Sequence, residues 1–234
     1  VNDRWLPMTP ERAAMRDPKV RAGIDASLKA HMANAPSKGI IPPLPPHCDF
    51  RTPEYAAFEN IETKKWEATR GMSHSFGFNR ADTDADYESV ETLVHSFIDT
   101  VAKNGNLLLN VGPRGEDARI PEPQIARLRG FGDWLRANGK GIYGTRPWMR
   151  ASGRTSEGDD VRFTAKDGTL YAHLLGTPES GDIFIEGAEL PSVTRATHLA
   201  SGAAVACERT SDGLRIALPA PLAPAPAHGF ALTV

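Results

Sequence analysis

The 234-residue sequence has little of several features that would place it in a specialised class. It contains two cysteines, Cys48 and Cys207, too few for a disulfide framework or a cysteine-based zinc site. No apolar run approaches the roughly 18 residues needed to span a membrane. The 27 basic and 29 acidic side chains leave a formal net charge of -2, which gives no reason to expect nucleic acid as the main partner, because phosphate binding needs a basic surface. With 40% hydrophobic residues, the chain is expected to bury a substantial core.

Residues 6–46 are expected to form an excursion from the surface of the first domain. Apolar residues at four-residue spacing predict an amphipathic helix from Pro18 to Asn34. The stretch from Ile40 to Pro46 contains four prolines, which exclude both a helix and a central strand. We therefore expect an extended, semi-rigid connector there.

Residues 47–146 have the pattern of alternating strands and helices. A short strand is predicted at residues 67–70, and Val90 begins a helix with a single apolar stripe. A second helix is predicted over residues 121–138, and its inner stripe consists of Ile125, Leu128, Phe131 and Leu135. Between the helices, the apolar run at residues 107–111 predicts a strand buried on both faces. This order is typical of βα units in a parallel sheet or barrel.

The pattern changes after about residue 147. Five short runs of alternating apolar residues, separated by turns such as Asp167-Gly168, predict an antiparallel β-sandwich. We therefore divide the chain into a domain at residues 1–146 and a second domain at residues 147–234. A complete (β/α)8 barrel needs about 250 residues. The predicted fold class is thus α/β plus all-β, with a partial, TIM-type (β/α)8-like barrel followed by a β-sandwich.

Two glutamates next to aromatic residues are candidates for acid–base chemistry. Glu54 directly precedes Tyr55, and Glu67 directly follows Trp66. A carboxyl group held beside aromatic rings loses solvation and becomes a better proton donor. From residue types alone, Glu54 could equally be a surface residue, and Glu67 could form an ion pair with Arg70 or with the lysine before Trp66.

Arg4 and Phe76 are candidates for sugar binding. Arg4 could donate a fork of hydrogen bonds to sugar hydroxyls, or it could pair with Asp3. Phe76 could cover the apolar face of a sugar, or it could be a core aromatic. The sequence contains no HExxH motif, phosphate loop or GxSxG elbow. The remaining carboxylates and aromatics therefore favour carbohydrate chemistry.

Seven segments that include these residues resemble, in order, glycoside hydrolase family 29, the retaining α-L-fucosidases. Together they span most of residues 1–148, and the sandwich region resembles the family less specifically. The seven segments are Val1–Trp5, Asp49–Tyr55, Lys65–Glu67, Ser75–Asn79, Asn104–Pro113, Ile120–Gln124 and Asn138–Trp148.

The resemblance implies hydrolysis of terminal α-L-fucose from fucosylated oligosaccharides or glycoconjugates in two steps. An aspartate attacks the anomeric carbon, and a second carboxyl group protonates the leaving oxygen and then activates water. The resemblance implies that Glu54 is this acid/base, with Glu67 as the alternative. It also implies that Arg4 binds the sugar and that Phe76 packs against the fucose methyl group in the same cavity. It implies no metal and no cofactor.

Part of the catalytic apparatus is expected outside this chain. The nucleophilic aspartate of the family precedes the segment around Arg4, and neither Asp3 nor Asp49 matches it. The chain alone is therefore expected to be inactive and to need the remainder of the barrel. A homo-oligomer is compatible with the sequence, and no nucleic acid or membrane partner is expected. The compartment stays open between periplasmic or secreted and cytoplasmic.

A protein of another class is also compatible with the sequence. A non-catalytic carbohydrate-binding or interaction remnant of a glycosidase would use the sandwich to bind glycan. Exposed aromatic residues on one sandwich face would support this alternative. No tryptophan follows Trp148, so stacking platforms are scarce in that region.

Overall fold

A computed structural model of the chain describes residues 17–19, 22, 39, 41, 48–179, 181–187, 189–193 and 195–233. The helix and connector expected within residues 6–46 therefore lie almost wholly outside the described residues, and Arg4 lies outside them too. In the part that is described, no helix has both the length and the apolar character needed to cross a bilayer.

The first part of the described chain is a small parallel sheet with a helix packed against one face. Strand β1 (Trp66–Arg70) pairs in parallel with strand β2 (Gly105–Leu109). The extended residues 51–55 also run parallel to β1, with a bridge from Glu54 to Thr69. The three segments therefore lie in the order 51–55, β1 and β2, and all three end at the same edge. This is the arrangement expected for consecutive βα units.

Helix α1 (Val90–Ala102) lies between the two strands in sequence and packs against the sheet. The Ser89 hydroxyl caps its first turn by accepting the backbone N–H of Thr92 at 3.0 Å. Asn104 follows the helix with a φ of +74°, a left-handed conformation that asparagine tolerates and that ends the helix. The predicted apolar stripe is confirmed, and three of its members are fully buried: Leu93, Val94 and Ile98.

The prediction that the strand at residues 107–111 is buried on both faces is wrong. The observed strand β2 alternates in burial, and Leu108 exposes 44% of its surface. Helix α1 covers one face of the strand, but within the described residues β2 pairs only with β1, and nothing covers the Leu108 face. In a complete barrel, side chains from other strands fill that inner face. The apolar run at residues 107–111 is therefore typical of a strand that lines a barrel interior, and the described residues form only part of such an interior.

Helix α2 (Glu122–Asn138) has nearly the predicted bounds, and Phe131 and Leu135 of the predicted stripe pack against apolar clusters, but its buried face is rotated away from the rest of that stripe. Leu128 of the predicted stripe is 36% exposed, whereas Gln124, Trp134 and Asn138 are buried. Gln124 Oε1 accepts the backbone N–H of Gly112 at 2.9 Å, and a polar side chain that satisfies a buried backbone group can be enclosed. A search for apolar residues alone misses such positions.

The second part is an antiparallel sheet of eight strands in the order β3-β4-β5-β10-β7-β8-β9-β6. A bridge from Thr155 to Ile185 brings the two ends of the sheet together, so it is nearly closed around one core that includes Phe163 and Phe230. The strand bounds are β3 (Arg146–Arg154), β4 (Asp160–Lys166), β5 (Thr169–Leu174), β6 (Asp182–Glu186), β7 (Arg195–His198), β8 (Ala204–Arg209), β9 (Gly213–Ala217) and β10 (His228–Thr233).

The five alternating runs found in the sequence lie on β4, β5, β6, β9 and β10. Strands β3, β7 and β8 escaped the prediction because they carry few apolar residues in alternation. The predicted turn at Asp167-Gly168 has φ values of +49° and +76°, as a two-residue hairpin turn requires. The division of the chain at residue 146 stays a prediction, although the first strand of the antiparallel sheet begins there.

The helices and the antiparallel sheet share a buried interface. Val94, Ile98 and Trp134 of the helices form one apolar cluster with Ile142 and Ala227. A charged network adds to this cluster at its side. In this network, the Asp99 carboxylate on α1 accepts hydrogen bonds from Arg162 Nε at 2.6 Å and from Lys103 Nζ at 2.7 Å. The interface is therefore part of the core, and its loss would expose both parts.

Ile98→Ala is expected to lower the free energy of unfolding by about 2–5 kcal/mol, because Ile98 is fully buried at this interface and the substitution leaves a cavity. Urea unfolding followed by circular dichroism measures the change. Leu128→Ala on the exposed side of α2 is the matched control and should cost less than about 1 kcal/mol. Equal losses for the two variants would contradict the burial described here.

Candidate active site

Two of the predicted site residues, Glu54 and Phe76, lie at the carboxyl edge of the parallel sheet. Glu54 lies at the end of the extended segment, opposite Thr69 in the second half of β1. The loop that follows β1 carries Phe76, and the residue directly after β2 is Asn110. Active sites of barrel enzymes lie at this edge, because the loops that follow the strands meet there.

Tyr55 connects the backbone of Glu54 to the loop that carries Phe76. Its N–H donates to the carbonyl of Thr69 at 3.0 Å, and its hydroxyl accepts the N–H of Gly71 at 3.0 Å. The Tyr55 and Phe76 rings pack edge to face with centroids 5.0 Å apart. The φ of Tyr55 is +50°, a conformation that is costly for a bulky residue and is held here by these contacts.

Asn110 holds the same loop from the side of β2. Its backbone N–H donates to the carbonyl of Arg70 at 2.8 Å, which extends the parallel pairing beyond the strand. Its side-chain amide donates to the carbonyl of Phe76 at 2.5 Å. Sequence reasoning did not single out Tyr55 or Asn110, although both lie within the segments that carry the resemblance. Only the fold shows that they meet.

Glu67 occupies a different level of the sheet. It lies opposite Asn106 near the start of β1, two residues before Thr69. At about 3.3 Å per residue, this places Glu67 about 6–7 Å further from the carboxyl edge than the level of Glu54. Arg70, which was considered as its partner, instead donates to Glu88 at 2.9 Å.

The Tyr55 hydroxyl is neutral at ordinary pH. Burial raises the pKa of the Tyr55 phenol, and the negative charges of Glu54 and Asp82 raise it further. The hydrogen bond from Gly71 and the charge of Arg70 act in the opposite direction. The Cζ atom of Arg70 lies 5.9 Å from the Tyr55 ring centroid, a cation–π distance that keeps the guanidinium beside the site.

Of the four predicted acid/base and sugar-binding residues, two therefore lie on either side of Tyr55, and Glu67 lies lower on β1. Glu54 and Phe76 both adjoin Tyr55 and both are half-buried, whereas Arg4 lies outside the described residues. Among the residues that are described, no group of three or more histidine, cysteine, aspartate or glutamate side chains could hold a metal ion.

These features define the class of the protein: a portion of a TIM-type barrel, with polar and aromatic side chains at the carboxyl edge, joined to an antiparallel β-domain. The sequence model of the family described as "Alpha-L-fucosidase" matches residues 32–140. An α-L-fucosidase of Branchiostoma floridae is 41% identical over 124 residues, which are 53% of this chain and 27% of the relative. The tissue α-L-fucosidase of Mus musculus is 31% identical over 142 residues, which are 60% of this chain and 31% of the relative.

Solved structures agree with this result. The α-fucosidase of Thermotoga maritima, in complex with a mechanism-based inhibitor, superposes with a TM-score of 0.71 and 36% identity, covering 81% of this chain and 43% of its own. The α-L-fucosidase isoenzyme 1 of Paenibacillus thiaminolyticus superposes with a TM-score of 0.68 and 31% identity. The match covers 79% of this chain and 45% of that protein.

Over the matched residues, the chain is similar to a portion of the α-L-fucosidases. The resemblance to glycoside hydrolase family 29 and the predicted fold class, a partial barrel followed by a β-sandwich, are confirmed. The chain spans less than half of the solved relatives and about three tenths of the curated ones. The roles of the site residues stay predictions.

Tyr55→Phe is expected to weaken the attachment of the loop after β1, because the N–H of Gly71 loses its acceptor. A net loss of about 1 kcal/mol corresponds to an about fivefold faster exchange of the Gly71 amide. Amide hydrogen exchange read by NMR or mass spectrometry checks this, with Tyr143→Phe at the exposed Tyr143 as the matched control. Unchanged protection at Gly71 would show that the hydroxyl does not hold the loop.

Proposed function

We propose that this chain provides the acid/base and one wall of the sugar pocket of a retaining α-L-fucosidase. The observation that carries the proposal is the position of Glu54 at the carboxyl edge of the parallel sheet, next to the Tyr55–Phe76 pair. Barrel enzymes place their catalytic groups at this edge. The names of the relatives support the sugar, a terminal α-L-fucose on an oligosaccharide or glycoconjugate.

The proposed reaction has two steps. In the first, a nucleophilic aspartate outside this chain attacks the anomeric carbon while the Glu54 carboxylic acid gives its proton to the departing glycosidic oxygen. In the second, the Glu54 carboxylate takes a proton from water, and the resulting hydroxide replaces the aspartate at the anomeric carbon. Fucose leaves with its configuration retained, and Glu54 is again protonated. The two carboxyl groups of such a pair lie about 5–5.5 Å apart.

The sugar is held by groups with separate tasks in this proposal. The ring of Phe76 packs against the methyl group of fucose, where an apolar wall replaces water. Arg4 donates hydrogen bonds to the sugar hydroxyls. The aspartate and the remaining sugar ligands come from the rest of the barrel, which is the partner this chain needs.

The level of the two glutamates in the sheet favours Glu54 over Glu67 as the acid/base. Glu54 lies at the edge where the loops meet, whereas Glu67 lies about two residues below it along β1. Glu67 is proposed as the alternative if the sugar reaches deeper into the barrel.

A non-catalytic carbohydrate-binding role has no comparable support. It requires exposed aromatic platforms on the β-domain, but Phe163 and Phe230 are 0% and 1% exposed and belong to its core. The half-buried Tyr171 and Phe184 rings lie beside Gly141 and Gly213, and their strands, β5 and β6, are not neighbours in the sheet, so they form no shared platform.

The 234-residue chain alone is expected to release no nitrophenol from 4-nitrophenyl α-L-fucoside above the uncatalysed rate, because half of the carboxylate pair is missing. Absorbance at the nitrophenolate maximum measures this. The chain joined to the barrel half of a relative is the positive control. Clear turnover by the chain alone would place the nucleophile within residues 1–234 and overturn the proposed division of roles.

In the enzyme that contains the whole barrel, Glu54→Gln should lower kcat/KM for oligosaccharides by about 10²–10⁴-fold, because the leaving oxygen needs a proton. Activated aryl fucosides, whose leaving groups need little protonation, should lose far less. Steady-state kinetics on both substrate types give the comparison, with Glu59→Gln at the exposed Glu59, a few residues after the segment, as control. If Glu67→Gln shows this selective loss and Glu54→Gln does not, the assignment moves to Glu67.

A further inference from the structure

The histidines of the described residues are concentrated where the helices meet the antiparallel sheet. Five histidines are described, and His74 in the loop after β1 is exposed. The other four lie at or beside the contact between α1, α2 and the sheet: His95, His173, His198 and His228. The proposed hydrolysis uses none of them.

His198 and His228 form a hydrogen-bonded pair that occupies all four of their ring nitrogens. His198 Nε2 lies 3.3 Å from His228 Nδ1. Ser201 Oγ lies 2.9 Å from His198 Nδ1, and Thr177 Oγ1 lies 3.1 Å from His228 Nε2. A bond between two imidazoles needs one ring nitrogen with a proton and one without. Two protonated rings would place two N–H groups and two positive charges against each other, so the pair holds only while at least one ring is neutral.

The pair lies beneath the loop of residues 218–227, which leads into β10. A cavity of about 600 Å³ separates this loop from α2, and both histidines line it. The end of the loop is bound to both helices. The carbonyl of Ala227 accepts Trp134 Nε1 at 2.9 Å, and the carbonyl of Pro226 lies 2.6 Å from His95 Nε2. The loop is therefore closed over the pair by a few identifiable bonds.

His173 holds the turn after α2 against the sheet. Its ring is fully buried, and its Nε2 atom lies 3.1 Å from the carbonyl of Gly141 and 3.2 Å from Thr164 Oγ1. Thr164 Oγ1 itself donates to the same carbonyl at 2.6 Å. A charge on this ring would have no water around it.

The charged groups that face these histidines are already paired. Asp133 of α2 lines the cavity, is exposed and pairs with Arg136 on the same helix. Arg162 lies opposite His173 in the β4–β5 register and donates to Asp99 of α1. Both oxygens of Asp99 are in use, by Arg162 and by a lysine of its own helix. These two carboxylates, Asp133 and Asp99, thus already have basic partners of their own.

We propose that His173, His198 and His228 form an acid-sensitive latch that closes the loop of residues 218–227 and the end of α2 onto the antiparallel sheet, and that protonation of these rings opens it. The latch belongs to the fold of this chain and does not depend on the proposed hydrolysis.

The sign of the effect follows from the pKa values. Burial lowers the pKa of His173 to about 4, and burial followed by the charge of His198 lowers that of His228 to about 4, from 6.5. Burial also lowers the pKa of His198. Above pH 6.5 the closed and open forms are both neutral. As pH falls from 6.5 to about 4, the histidines of the open form become protonated while those of the closed form stay neutral. The free energy that favours the closed form therefore decreases. For a histidine shifted this far, opening becomes about 30-fold more favourable between pH 8 and pH 5.

Amide hydrogen exchange of the 234-residue chain at pH 8, 6 and 5, corrected for the intrinsic rates, tests the latch. Protection at residues 225–230 should fall by about 30-fold or more at pH 5, while protection in β6 and β9, on the far side of the sheet, should change much less. The variant carrying both His198→Gln and His228→Gln should show weaker protection at pH 8 and a flatter pH dependence. His74→Gln is the matched control and should keep the wild-type profile.

Three results would overturn the proposal. One is unchanged protection of residues 225–230 between pH 8 and pH 5 in the wild-type chain. Another is a double variant that keeps the full acid response, particularly if Asp99→Asn removes it. The third needs no substitution: in an NMR titration of the wild-type chain, the rings of His173 and His228 should stay neutral at pH 5, and titration of both near 6.5 would contradict the latch.

Discussion

The candidate site depends on the parallel pairing of residues 51–55 with β1. This pairing is short, and three backbone bonds define it: Glu67 to the Arg51 carbonyl, Thr69 to the Pro53 carbonyl and Tyr55 to the Thr69 carbonyl. It sets the level at which Glu54 leaves the sheet. A shift of one residue would turn the Glu54 side chain to the opposite face. The position of the proposed acid/base is therefore a matter of strand register.

Tyr55 connects the paired segment to the loop that carries Phe76. Its left-handed backbone turns the chain away from the sheet directly after Glu54, and its ring and hydroxyl bind the loop that carries Phe76. Asn110 binds the same loop from the next strand. The loop that carries Phe76 is thus held on one side by the residue after Glu54 and on the other side by Asn110. Such positioning residues keep a reacting group within the narrow geometry that catalysis needs.

The antiparallel domain supports the parallel sheet from a distance. Helix α1 covers β2 on one side and contacts β3 and β4 on the other, where Asp99 pairs with Arg162 of β4. The apolar cluster around Ile98 joins the same helix to Trp134, Ile142 and Ala227. The described parallel sheet has few strands, and its Leu108 face is exposed. Its stability therefore depends on the packing of α1 against the antiparallel domain.

Sequence reasoning predicted the parts of the fold that local patterns specify. The periodicity from Val90 and the asparagine–glycine stop gave α1 within a few residues, and the alternating runs gave five of the eight antiparallel strands. It erred where burial depends on the surroundings. Leu108 has the composition of a buried strand, yet nothing in the described chain covers its face, and Leu128 lies outside the face that α2 buries through Gln124.

The candidate site was predictable only in part, for a related reason. Residue types and spacing left Glu54 and Glu67 open, and the resemblance to a family favoured Glu54. The difference in their level along β1 arises from pairing between segments, which no local pattern encodes. The positive φ of Tyr55 was equally hidden, since tyrosine has no preference for that conformation. Asn110 reaches the Phe76 loop only because β1 and β2 are parallel neighbours.

The most direct test of the account is a crystal structure of the enzyme with its whole barrel, bound to an unhydrolysed α-L-fucoside. The account predicts a Glu54 carboxyl oxygen within about 3.2 Å of the glycosidic oxygen, about 5–5.5 Å from the nucleophilic carboxyl group, with the fucose methyl group against Phe76. A complex in which Glu67 approaches the glycosidic oxygen and Glu54 points away from the sugar would contradict it.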